Sequence, residues 1–129
     1  MRIPCDSDFY LSIERALPSD DDVCVVVEVR CPGFTGRIDT WILRDAWIAF
    51  CNQLEALEGR RRGEAVVESI SPNEFRLTVR STDSAGHMAI EGLLGYRGVK
   101  GETLLTFSPM SFDPSTLPAL LAEARAIAG

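Results

Sequence analysis

The sequence is poor in the groups that hold metal ions: it has one histidine, His87, and four scattered cysteines, Cys5, Cys24, Cys31 and Cys51. No two cysteines stand in CxxC spacing, and a lone histidine cannot complete a zinc site of the usual kind. No metal and no cofactor is expected. The sequence also lacks a basic excess. Thirteen Lys and Arg face nineteen Asp and Glu, for a net charge of −6. An acidic surface repels phosphate backbones and anionic lipid, which argues against nucleic-acid and membrane partners. The same charge steers a basic protein partner toward it. Long apolar runs are missing as well, so nothing approaches the ~20 residues of a membrane-spanning helix. Met1-Arg2-Ile3-Pro4-Cys5-Asp6 reaches an acid before any apolar stretch, unlike a secretory signal. Cys24, within Val23–Val27, and Cys51, after Phe50, have the apolar surroundings of buried free thiols. Reduced thiols and the lack of a signal make the cytoplasm the expected location.

What is present suits one globular domain over residues 1–129. The chain is 46% hydrophobic and 25% charged, enough apolar material for a core without staples. Short alternating segments dominate. Phe9–Glu14, Val23–Arg30 and Phe34–Leu43 predict three strands, with Gly36 a candidate bulge. Arg44–Glu58 switches to helical period through Trp47, Phe50, Cys51, Leu54 and Leu57, and Gly59 is the expected stop. Four more strands are predicted over Glu64–Ile70, Glu74–Thr82, His87–Leu94 and Glu102–Phe112. Gly95–Gly101 reads as a glycine-rich loop, and Pro109 marks an edge or a bulge. Asp113 as cap and Pro114 in the first turn open a final helix striped by Leu117, Leu120, Leu121, Ala124 and Ile127. The order is β-β-β-α-β-β-β-β-α. Short turns imply antiparallel pairing. The expectation is an α+β fold with an antiparallel sheet of about six or seven strands and two amphipathic helices on one face.

No set of residues reads as catalytic. His87 and Glu91 lie about 13 Å apart along one strand, too far for a hydrogen bond. Asp83 could bond His87 across a turn, but no motif places a serine or cysteine to be activated. Asp20-Asp21-Asp22 lacks the spaced ligands of a calcium loop and reads as an acidic turn. Gly95–Gly101 lacks the phosphate-binding glycine patterns. The remaining candidate is a charged sheet face. Arg76 and Arg80, with Glu28, Arg30, Glu68 and Glu91, are the expected partner-binding residues, and the bland reading of the same residues is a solvated face. Trp47 is expected in the core, and Trp41 at a strand end, partly exposed.

Several stretches carry a family resemblance. Gly33-Phe34-Thr35-Gly36, Trp41-Ile42, Phe50 with Leu54-Glu55-Ala56-Leu57, Gly63-Glu64-Ala65 and Thr82-Asp83-Ser84-Ala85-Gly86-His87 resemble a group of small bacterial proteins. That group holds uncharacterised proteins and immunity proteins of wall-associated polymorphic-toxin systems. The resemblance spans roughly Val23 to Leu121, and its motifs are turns, a helix face and a strand entry. It implies a non-enzymatic protein that neutralises a toxin and brings no catalytic residues with it. A basic toxin domain is the expected partner. The alternative is a small-molecule-binding domain with a pocket between the helices and a curved sheet.

Overall fold

The computed structural model describes residues 1–129. Eight strands and two α-helices follow one another as β1 (Arg2–Pro4), β2 (Tyr10–Leu17), β3 (Val23–Cys31), β4 (Phe34–Ile42), α1 (Arg44–Arg60), β5 (Glu64–Glu68), β6 (Phe75–Ser81), β7 (Met88–Gly98), β8 (Gly101–Phe112) and α2 (Leu117–Ala128). All pairings are antiparallel. The α+β class and the element order are those expected from the sequence, with one strand added at the start. The single sheet is corrected: the strands form two four-stranded sheets, β1-β2-β3-β4 and β5-β6-β7-β8. Helix α1 separates them in the chain, and alternation within a strand carries no information about which sheet the strand joins. The added strand, β1, is three residues long, too short to show a period.

Alternation decides which side chains enter the core. In β3, Val23, Val25, Val27 and Val29 point inward, and in β6 Phe75, Leu77 and Val79 do the same. The helices add Trp47, Phe50, Leu54 and Leu57 from α1 and Leu120, Ala124 and Ile127 from α2. Twenty-eight buried residues from both sheets and both helices make one core. Each large aliphatic or aromatic side chain in it contributes about 1.5–3 kcal/mol relative to exposure. The inward faces meet where Phe9 packs on Phe107, ring centroids 5.4 Å apart. The indole N–H of Trp47 donates to the Ala124 carbonyl at 2.8 Å and joins the two helices.

Three local expectations change. Helix α1 runs through Gly59 and ends at Arg61, which takes the left-handed conformation (φ 57°) while its N–H bonds the Leu57 carbonyl. Gly36 is no bulge, for it pairs with Val29 in regular register. A Cβ there would stand 2.8 Å from Leu105 Cδ1, so the missing side chain makes room for the second sheet. The segment Gly95–Gly101 is strand rather than loop: pairing continues to Gly98–Gly101, leaving only Val99 and Lys100 as the turn. Pro109 fulfils its reading on both counts. Strand β8 is an edge, and its register slips beside Pro109, where Ser108 and Pro109 together oppose Glu91.

Gly92 shows how closely the second sheet is drawn together. A Cβ on it would sit 2.0 Å from the Arg76 carbonyl oxygen and 3.1 Å from Phe107 Cζ. Backbone cannot yield as a side-chain tip can, so Gly92→Ala is expected to destabilise the protein by about 3 kcal/mol. Gly33→Ala, which meets nothing within 4 Å, should stay within about 0.5 kcal/mol of wild type. Urea denaturation midpoints test the pair, and equal midpoints would contradict this account of the β6–β7 approach.

Candidate partner-binding surface

The outward side chains of β6 are Arg76, Thr78 and Arg80, on the face of the second sheet turned away from the core. Glu68 stands directly across from Arg76, and their ion pair measures 3.4 Å. Arg80 reaches diagonally to Glu91 at 2.8 Å. Water screens both pairs, so each is worth about 0–1 kcal/mol. Four of the six expected residues therefore share one face and largely satisfy one another.

Glu28 and Arg30 lie elsewhere, on the outer face of the first sheet. Glu28 accepts a hydrogen bond from the Tyr10 hydroxyl at 2.9 Å. The Arg2 guanidinium lies over the Tyr10 ring, 3.9 Å from its centroid. The six residues thus form two groups on two sheets rather than one patch. Period-2 alternation predicts outward-facing residues correctly but cannot say that two outward faces belong to different sheets.

The first sheet's outer face is also where the surface is hollow. One hollow of about 460 Å³ includes Arg2, Tyr10, Glu28 and Arg37 in its lining. A second, of about 530 Å³, shares Arg2 and Tyr10 with it. A third, of about 470 Å³, shares Val26 and Arg37 with the first and adds Leu17 and Cys24. The three hollows share lining residues from β1 to β4. Between the helices and the sheets, Trp47, Phe50, Leu54 and Leu57 fill the space with at most 1% exposure.

His87 is exposed and bonds through Nδ1 to Asp83 Oδ2 at 2.5 Å. Asp83 also accepts the backbone N–H groups of Ala85 and His87. These bonds lower the Asp83 pKa, the His87 side chain contributing most. The arrangement closes the turn between β6 and β7. No hydroxyl or thiol stands in the set as a nucleophile.

Three of the four thiols, Cys5, Cys24 and Cys51, have their pKa raised by burial. Cys24 and Cys51 are buried, as their apolar surroundings predict. Burial, with Asp6 adding to it, pushes the Cys5 thiol up to about 12. Cys24 and Cys31 share β3, seven residues apart, so they point to opposite sides of it. No three His, Cys, Asp or Glu side chains gather in a way that could hold a metal ion. No helix is long and apolar enough to cross a membrane.

One surface feature was only half legible. Trp41 is partly exposed, as its place at a strand end suggests. The register also sets it in a cross-strand row with Cys24 and Leu17, and Leu17 is exposed too. The available signal was Trp41 and Leu43 flanking the inward Ile42, which makes both faces apolar at that end of the strand.

Outward charge on both sheets and an exposed aromatic side chain are the main features of this surface. The chain belongs to the immunity protein WapI-like family, whose family model matches residues 6–128. Comparison with curated proteins and with solved structures finds no match.

Two outcomes follow from the titrating groups. Asp83 is held below the ordinary carboxylate value of about 4 in the folded state. Its stabilising contribution is therefore full above that value and fades as pH falls through the lower folded value. The stability gap between wild type and Asp83→Asn should be present at pH 7 and shrink as the pH falls below the ordinary carboxylate value; a gap that widens on acidification would contradict the geometry. For the thiols, titration of the unfolded protein without reductant should find four free groups. In the native protein iodoacetamide should reach Cys5 slowly at pH 7, since so little of it is thiolate. Rapid alkylation of Cys5 by peptide mapping would count against its burial.

Proposed function

We propose that this protein is the immunity component of a toxin–immunity pair, a stoichiometric, non-enzymatic inhibitor that binds its cognate toxin in the cytoplasm. The observation that carries the reading is the family match over residues 6–128. The site agrees with it. A protein that acts by covering another needs outward side chains and shape, not an activated nucleophile, and His87 and Asp83 are spent on a turn. The net charge of −6 favours a partner that is basic where it is bound. Long-range attraction of this kind acts mostly on the association rate, and salt weakens it because the field is screened over about 8 Å at physiological ionic strength.

Co-expression tests this directly. Cells producing the toxin encoded beside this gene should stop growing, and cells that also make this protein should grow. A complex should be recovered by pull-down, and its association should slow as salt is added. His87→Ala should protect as well as wild type. Equal killing with and without the protein, and no complex, would end the immunity reading. Loss of protection in a well-folded His87→Ala variant would instead point to chemistry at the turn.

A further inference from the structure

The open end of the first sheet carries an apolar patch that the fold does not need. Leu17, Trp41, Leu43 and Ile70 are 53, 43, 51 and 48% exposed, four of the large apolar side chains that remain in contact with water. Leu17 and Ile70 are far in sequence from Trp41 and are brought beside it by strand pairing and one backbone hydrogen bond. Leu17 and Trp41 flank the buried Cys24 in one cross-strand row. Leu43 lies two residues beyond Trp41, and the Ile70 N–H donates to the Trp41 carbonyl at 2.9 Å. The third hollow, of about 470 Å³, opens beside Leu17 over Cys24 and Val26. Clusters of this kind on monomers mark interaction sites far more often than isolated apolar residues do.

The rim says what covers it. Asp39 is two residues before Trp41 on the same face of β4, and Glu14 lies in the same cross-strand row as Asp39. Asp20, Asp21 and Asp22 form the turn that follows Leu17. Two of the three nearby cations are engaged with this turn: Arg15 donates to the Leu17 and Ser19 carbonyls, and Arg44 to those of Ser19 and Asp21. The third, Arg37, lines the hollow beside Asp39. Carboxylates (Glu14, Asp20, Asp21, Asp22, Asp39) outnumber cations (Arg15, Arg37, Arg44) around the patch. A tryptophan among aliphatic side chains with an acidic excess at its rim is complementary to an apolar side chain flanked by lysine or arginine. A second copy of this chain is disfavoured, because a two-fold contact through the patch would set carboxylate against carboxylate.

We propose that this patch, centred on Trp41, is the surface that seats the cognate toxin domain, the partner supplying an apolar anchor within a basic surface. The proposal rests on the immunity reading and places its binding energy at one end of the first sheet. The ion-paired face of Glu68, Arg76, Arg80 and Glu91 lies outside this contact.

The experiment measures binding of the toxin domain encoded beside this gene to variants shown by thermal melting to be folded. Trp41→Ala should weaken the affinity about thirty-fold, and Leu17→Ser should weaken it in the same direction. Asp39→Lys should mainly slow association, while Glu68→Lys and Glu91→Lys should bind as wild type does. Protection in co-expressed cells should follow the same order. Full affinity in both Trp41→Ala and Leu17→Ser, with loss in Glu68→Lys, would overturn the placement while leaving immunity intact. Self-association of the wild type that Trp41→Ala abolishes without affecting toxin binding would overturn it too, by making a second copy the occupant. Failure of the wild type to bind or protect would instead remove the immunity reading itself.

Discussion

Arg44 is the residue on which the arrangement of the outer surface depends. It stands at the first position of α1, where a cation faces the positive end of its own helix dipole. Its guanidinium turns away and spends its donors on three carbonyls from two parts of the chain, the β2–β3 turn and the end of α2. Nε donates to Asp21 at 2.7 Å, Nη2 to Ser19 at 2.9 Å, and Nη1 makes a short bond to Ala128. Ala128 ends α2, where the dipole is negative, so the charge unfavourable to one helix is favourable at the end of the other. One side chain therefore fixes the acidic β2–β3 turn, the entry to α1 and the exit of α2. Without it three carbonyls would need new partners, and the Asp20–Asp22 turn would lose its fixed place beside Leu17.

Trp47 does inside what Arg44 does outside. Its ring packs on Phe50, and its only polar atom is satisfied by Ala124 across the helix pair. That bond sets α2 on α1, while α1 lies against β5 of the second sheet. Gln53 of α1 then supplies the acceptor for the Val66 N–H, on the β5 edge that no strand covers. Helix packing and edge protection are parts of one contact.

The sequence made the layers legible and left their arrangement hidden. Val23 to Val29 named the buried face of β3, and the Trp47–Leu57 stripe named that of α1, because a buried side takes apolar side chains at a fixed period. The division into two sheets had no such signature. It follows from α1 separating two sets of strands, and from Gly36, whose missing Cβ lets Leu105 of the second sheet come close. The candidate surface fared likewise. Glu28, Arg30, Glu68, Arg76, Arg80 and Glu91 all point outward as alternation implies, yet they separate into two groups. The apolar patch was beyond reach for a different reason. Leu17, Trp41 and Ile70 meet only through cross-strand register and one hydrogen bond, and neither is a local property of the chain.

The treatment of the sheet edges explains why a face is the better place for a partner. An open edge invites any strand, because backbone pairing reads no sequence. Here the edges are occupied or interrupted. Glu123 accepts the Arg2 N–H on β1, Ile70 donates to Trp41 on β4, Gln53 accepts from Val66 on β5, and β8 carries Pro109 at its bulge. Indiscriminate strand addition is thereby suppressed on both sheets. What remains accessible is recognised through side chains, whose shape and charge can tell one partner from another. In the toxin-binding role proposed for this chain that distinction is essential, since an inhibitor that paired with any exposed strand would be titrated away from its target. In that proposal the closed edges and the exposed Trp41 patch are two sides of one requirement, to avoid most contacts and make one well.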